Sequence, residues 1–176
     1  SLTLTNAKGS QAALTASASP TNITYNGTTT LSTSGGTGTG TVSYAVTAGA
    51  SNCSVVGSTV TGTGVGICTI TATKVSDANY LETTATVDIN VNKANQTSLT
   101  ASASPSTIAF NGTTTLDAIG GSSGGAVSFA VTAGTNFCSV TGNLLTGLDV
   151  GSCTVTATRA GNALYNDVSA QVVVTV

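Results

Sequence analysis

The sequence predicts an all-β protein built as two tandem sandwiches of about seven strands each. Three observations carry that expectation. The chain repeats itself at an offset of 85 residues. Within each copy the apolar residues recur at every second position, the period of a strand with one buried face. The remaining positions are filled with Thr, Ser and Gly rather than with charge.

The repeat is free of gaps. QAALTASASP at 11–20 returns as QTSLTASASP at 96–105, YNGTTTL at 25–31 as FNGTTTL at 110–116, and VSYAVTAG at 42–49 as VSFAVTAG at 127–134. Cys53 and Cys68 return as Cys138 and Cys153, and Tyr80 as Tyr165. About half of the 81 aligned positions are identical, so two copies of one folding unit are expected, each the size of a small β-sandwich. They span 11–92 and 93–176. The same offset lays LTLTNAKGSQ (2–11) over VDINVNKANQ (87–96), with Leu2 and Leu4 on Val87 and Ile89. Residues 1–10 are therefore expected to be the last strand and linker of a preceding repeat. The other expectation is a free N-terminal strand whose Leu2 and Leu4 add to a neighbouring subunit's sheet and build a filament.

The strands follow in order. Expected runs in the first copy are 12–19, 28–34, 41–47, 53–56, 59–62, 67–74 and 83–91, and the second copy follows by adding 85. Val42, Tyr44 and Val46 alternate with Ser43, Ala45 and Thr47. Cys68, Ile70 and Ala72 alternate with Thr69, Thr71 and Thr73. Thr on the outer face is a strand former that stays soluble without charge. Asn26-Gly27, Gly35-Gly36, Ala48-Gly49, Val56-Gly57 and Gly62 to Gly66 supply the turns. Pro20 and Pro105 end the first run, where proline is tolerated at an edge or a switch between sheets. No window shows the 3.6 period of an amphipathic helix. Seven short strands in about 80 residues read as an immunoglobulin-like sandwich.

Composition narrows the function. The 176 residues include 36 Thr, 21 Ser and 21 Gly, but only 6% are charged, against roughly 25% in an ordinary domain. Four Lys and Arg with a net charge of −2 make no phosphate-binding footprint. His, the commonest general base and metal ligand, is absent. No apolar run approaches the ~20 residues of a membrane-spanning helix. The Gly-rich runs at 37–40 and 62–66 lie between strands, so they are turns and not phosphate loops. No enzyme is expected.

The stretches CSVVGSTVTGTGVGICTITATKVSDANY (53–80) and CSVTGNLLTGLDVGSCTVTATRAGNALY (138–165) carry a family resemblance, together with ATVDINV (85–91). They resemble the bacterial Ig-like domain repeats of large secreted or cell-surface, adhesin-like proteins. Gly66 to Thr73 and Gly151 to Thr158 match that family's strand after a small-residue turn. The resemblance implies the fold, an extracellular or cell-surface location, and a role set by the host protein.

The cysteines lie 15 residues apart in each copy and share the inward parity of Val55 and Ile70. One disulfide within each copy is expected, Cys53 with Cys68 and Cys138 with Cys153. A 15-residue loop is worth about 3 kcal/mol in the chain-entropy model. Such bonds imply an oxidising compartment. No CxxC spacing supports zinc.

Other candidates are thinner. No cofactor is expected. Calcium is the rival, with Asp77 and Asn79, or Asp88 near the 92–96 linker, as oxygen donors, though no DxDxDG-like run is present. An isopeptide bond would need Lys74, which becomes Arg159 in the second copy. Sequons occur at Asn22, Asn26, Asn52, Asn95 and Asn111. Six of the seven aromatics form matched pairs and suit a core or turn role. Phe137, opposite Asn52, is the exception and the candidate interface residue.

The expected function is structural: tandem modules acting as a spacer, stalk or fibre segment, with neighbouring repeats or subunits as partners. The alternatives are the filament subunit and a module binding a glycan or a protein surface. For the last, the loops that differ between copies are the places to look: 35–40 and 120–125, and 50–52 and 135–137. Neither nucleic acid nor membrane insertion is expected.

Overall fold

The computed structural model of the chain describes residues 7–176. Leu2 and Leu4, the candidate strand-addition residues, lie outside the described residues. The chain divides into two compact units between Lys93 and Ala94, one residue after the boundary drawn from the repeat. Unit 1 holds β1 (Leu14–Ser19), β2 (Asn22–Thr24), β3 (Thr28–Gly35), β4 (Val42–Ala48), β5 (Cys53–Val56), β6 (Thr59–Gly62), β7 (Gly66–Lys74) and β8 (Thr83–Asn92). Unit 2 holds β9 (Leu99–Ser104), β10 (Thr113–Gly120), β11 (Val127–Ala133), β12 (Cys138–Thr141), β13 (Leu144–Gly147), β14 (Ser152–Arg159) and β15 (Val168–Thr175). Among the described residues no helix is long and apolar enough to cross a membrane.

Each unit is an immunoglobulin-like sandwich. In unit 1 one sheet has the order β1-β3-β6-β5 and the other β2-β8-β7-β4. In unit 2 the sheets are β9-β10-β13-β12 and β11-β14-β15. This is the four-plus-three constant-type arrangement of the fold, with one short strand added in unit 1. The core lies where the inward parities meet. Leu31, Val60, Ile70, Ile89 and Val91 are buried in unit 1, and Leu116, Leu145, Val155 and Val174 in unit 2. Ile70 and Ile89 have no exposed surface, and burying such a side chain stabilises by about 1.5–3 kcal/mol. Thr69, Thr71 and Thr73 alternate with the buried residues of β7 and face outward.

Two details depart from the strand pattern expected from sequence. The first is β2. After the cis Ser19–Pro20 bond the chain leaves the first sheet and crosses to the second. There Asn22–Thr24 pairs parallel to the end of β8. Three residues are too few to show an alternation, so sequence periodicity passes over them. The equivalent place in unit 2, after cis Ser104–Pro105, is a single parallel bridge between Thr107 and Thr175. The second detail is an inward threonine. Thr29 and Thr114 are 3% and 2% exposed. Each hydroxyl donates to the carbonyl of the switch proline, Pro20 or Pro105, which removes the penalty of burying it.

Turn chemistry explains the connections. Asn26 and Asn111 sit at φ 63° and 57°, a left-handed conformation that Asn tolerates and that the following Gly completes. Each unit has an N-terminal end, where Gln11 or Gln96 meets the loops after β3 and β7 or after β10 and β14. Its C-terminal end carries the proline switch, the disulfide and the last residue of the closing strand.

Candidate functional site

The disulfides join the two sheets. Cys53 opens β5 at the edge of one sheet and Cys68 lies on β7 in the middle of the other. The bond spans a Cα–Cα distance of 6.2 Å, and Cys138 and Cys153 are joined across the same distance in unit 2. All four sulfurs belong to residues at 2% exposure or less, so they sit in the core and present no reactive thiol. Tyr44 and Phe129 pack against the same core clusters.

The N-terminal end of each unit is organised by one amide. Gln96 is 8% exposed. Its Nε2 donates to the carbonyls of Asn166 (2.8 Å) and Arg159 (3.2 Å), and its Oε1 accepts from Ser122 N (3.1 Å) and Ser123 N (3.0 Å). In unit 1 Gln11 repeats this, donating to Leu81 O (2.7 Å) and accepting from Gly38 N (3.1 Å). The basic side chain that ends β7 or β14 also reaches the Gly-rich loop of its unit. Lys74 Nζ donates to Gly36 O, and Arg159 to Gly125 O. The variable Gly-rich loops are therefore tied down from beneath. Sequence reasoning missed these glutamines; their signal was an identical Gln at the start of both copies.

Asp77 shows how the acidic groups are used. Its carboxylate accepts from the backbone N–H and the hydroxyl of Thr39, and from the N–H groups of Asn79 and Tyr80. The Thr39 N–H, then those of Asn79 and Tyr80, favour the charged form and lower its pKa from 3.8 to about 2. Asn162 does the same work in unit 2, its Oδ1 accepting from Leu164 N and Tyr165 N. A position served equally by Asn is a loop organiser. Asp88 accepts from the Thr69 hydroxyl, and Asp167 from Gly161 N. Asp77 and Asn79, paired above as candidate calcium donors, are bonded carboxylate to N–H. Among the described residues no three Cys, Asp or Glu side chains come together.

Phe137 is half-buried and packs against the core of unit 2. Its ring covers Gly151, whose missing Cβ would lie 2.6 Å from Phe137 Cδ1. Asn52 occupies this place in unit 1 and donates to Ile67 O (3.0 Å). The two residues are alternative lids over the same glycine.

No family model matches the chain, and no curated protein matches it. Solved structures with a similar fold include a C-terminal 282-residue fragment of intimin in complex with the intimin-binding domain of its translocated receptor. It is 16% identical with a TM-score of 0.38, over 95% of this chain and 64% of that one. Murine CEACAM1b is 14% identical with a TM-score of 0.36, over 92% of this chain and 98% of that one. Surface layer protein SbsC, domains 1–6, is 14% identical with a TM-score of 0.36, over 96% of this chain and 28% of that one. The chain thus spans less than two thirds of the intimin fragment.

Proposed function

We propose that the chain is a pair of structural spacer modules of an extracellular bacterial surface protein, without catalysis, flanked by further repeats of its own kind. The junction between the units carries this reading. Asn92 closes β8. Two residues later Ala94 already donates to Leu164 O (2.9 Å) and accepts from Asn166 N (2.9 Å), and Gln96 follows into the interior of unit 2. Only Lys93 separates a strand residue of one unit from a bonded residue of the next. The segment before unit 1 is held in the same way, with Gly9 N on Asn79 O and Leu81 N on Gly9 O. Ala94 to Gln96, which read as linker in the sequence, are therefore part of the following unit's fold, and a short tether restrains bending. The buried disulfides support the oxidising location. The absence of His from the sequence and the use of carboxylates as loop acceptors support the absence of catalysis.

Amide 15N relaxation of the intact chain tests the junction. The two units are expected to report one shared rotational correlation time. Insertion of Gly-Ser-Gly-Ser between Lys93 and Ala94 is expected to split it into two shorter ones. Native units that tumble as independently as those of the insertion variant would overturn the spacer reading.

A further inference from the structure

The C-terminal end of unit 1 carries a chain of asparagines that unit 2 lacks. The parallel register of β2 and β8 sets Asn22 opposite Asn90 and Thr24 opposite Asn92. The Asn90 side-chain amide donates to Asn22 Oδ1 (3.1 Å) and to Asn92 Oδ1 (3.3 Å). An amide nitrogen carries two hydrogens, so this one group orients both neighbours with their oxygens toward Asn90. The Nδ2 groups of Asn22 and Asn92 are left with no hydrogen-bond partner among the described residues. Both residues line a shallow depression of about 330 Å³, with Pro20, Ile23, Thr24 and Thr28. In unit 2 the positions of Asn22 and Asn90 are Thr107 and Thr175, which keep the backbone bridge but cannot form the amide chain. Asn22 and Asn90 are therefore not needed by the scaffold.

We propose that this depression binds a neutral saccharide. No charged residue lines it, so an ionic ligand finds no pairing group there. Pro20, exposed above the buried Ile23, offers an apolar surface to the C–H face of a sugar ring. The two oriented amides donate to ring or hydroxyl oxygens, and the Thr24 and Thr28 hydroxyls both donate and accept. An apolar surface with a few convergent polar groups is the usual composition of a small-molecule site, and the volume lies at the low end of the roughly 300–1,000 Å³ of such sites. One sugar unit is the ligand that fits. Asn90 acts as a positioning residue, because it sets the direction of the two donors without lining the depression.

The test is a 1H–15N titration of the intact chain with glucose, galactose, N-acetylglucosamine and a neutral oligosaccharide of each. An open site of this size is expected to bind with Kd of about 1 mM. Saturable shifts are expected at Ile23, Thr24, Gly27 and the side-chain NH₂ groups of Asn22 and Asn92, and not at Thr107 or Ile108. Equal affinity for sugar and oligosaccharide points to a free sugar, and tighter oligosaccharide binding to a polysaccharide; both support the site. Asn22→Thr with Asn92→Ala is expected to weaken binding more than tenfold. Asn90→Thr is expected to weaken it several-fold with the dispersed spectrum retained, since unit 2 folds with Thr at the Asn22 and Asn90 positions. The proposal is overturned by the lack of any saturable shift, by matching shifts in unit 2, or by unchanged affinity in the first variant. It does not depend on the spacer reading, which the junction experiment tests separately.

Discussion

Gln96 places an amide inside the N-terminal end of unit 2 with both amide hydrogens and both oxygen lone pairs engaged. Replacing it with Ala would strand the Ser122 and Ser123 N–H groups and two carbonyls where water has little access. Gln96→Ala is therefore expected to destabilise unit 2 by about 2–3 kcal/mol, read from denaturant unfolding followed by resonances of that unit. Gln11, which is less buried, is expected to cost less when removed. Asp77 gives a pH-dependent counterpart. Its pKa is depressed in the folded state, from 3.8 to about 2. The stabilisation it contributes is present above the unfolded value and is lost as pH falls through the folded one. Unit 1 is thus expected to loosen between pH 4 and pH 2, seen as faster amide exchange at Thr39, Asn79 and Tyr80. Asp77→Asn, which copies the residue of unit 2, is expected to flatten that dependence. Unchanged acid sensitivity in this variant would show that the Asp77 bonds do not set it.

At the scale of the element, β7 and β14 organise the units. Each is an interior strand of its sheet, buried on its inner face by the opposite sheet, and joined to that sheet by a disulfide. The alternation of β7 was plain in the sequence because every inward residue from Cys68 to Ala72 is apolar and every outward one is Thr. Which sheet the partner cysteine belongs to was not, because the spacing of two residues says nothing about the layer between them. Cys53→Ala with Cys68→Ala should cost unit 1 about 3 kcal/mol by the loop-entropy estimate and leave the unfolding of unit 2 in place. A single shifted transition for the whole chain would contradict the separateness of the two cores. The element that the sequence did not reveal, β2, exists because a partner strand is there to pair with it. Its three residues have no periodicity of their own.

For the molecule as a whole, low charge and a wealth of Thr describe a doubled sandwich whose outer faces are hydroxylated. The duplication was legible because the 85-residue offset runs without a gap through strands, turns and cysteines. Where the copies match, as at Gln11 and Gln96, the residue serves the scaffold. Where they differ, the difference has two meanings that sequence alone cannot separate. Phe137 for Asn52 is an exchange of lids over one glycine. Asn22 and Asn90 for Thr107 and Thr175 change the polar groups presented at a depression. The loops singled out for their variation, 35–40 and 120–125, are held from beneath by Lys74, Arg159 and the two glutamines.

By itself the sequence determined the class, the number of units, the order of the long strands and the poverty of catalytic groups. All of these rest on local information: a period of two, a fixed offset, the residues of a turn, the residue types present. The tertiary structure decided what depends on non-local pairing. It placed the disulfide between sheets, took Ala94 to Gln96 of the linker into the unit that follows, formed β2 against β8, and brought Asn22 to Asn90 across 68 residues of chain. Hydrogen-bond partners that far apart are set by the register of the sheet, and register is a property of the folded sandwich that no stretch of residues carries alone.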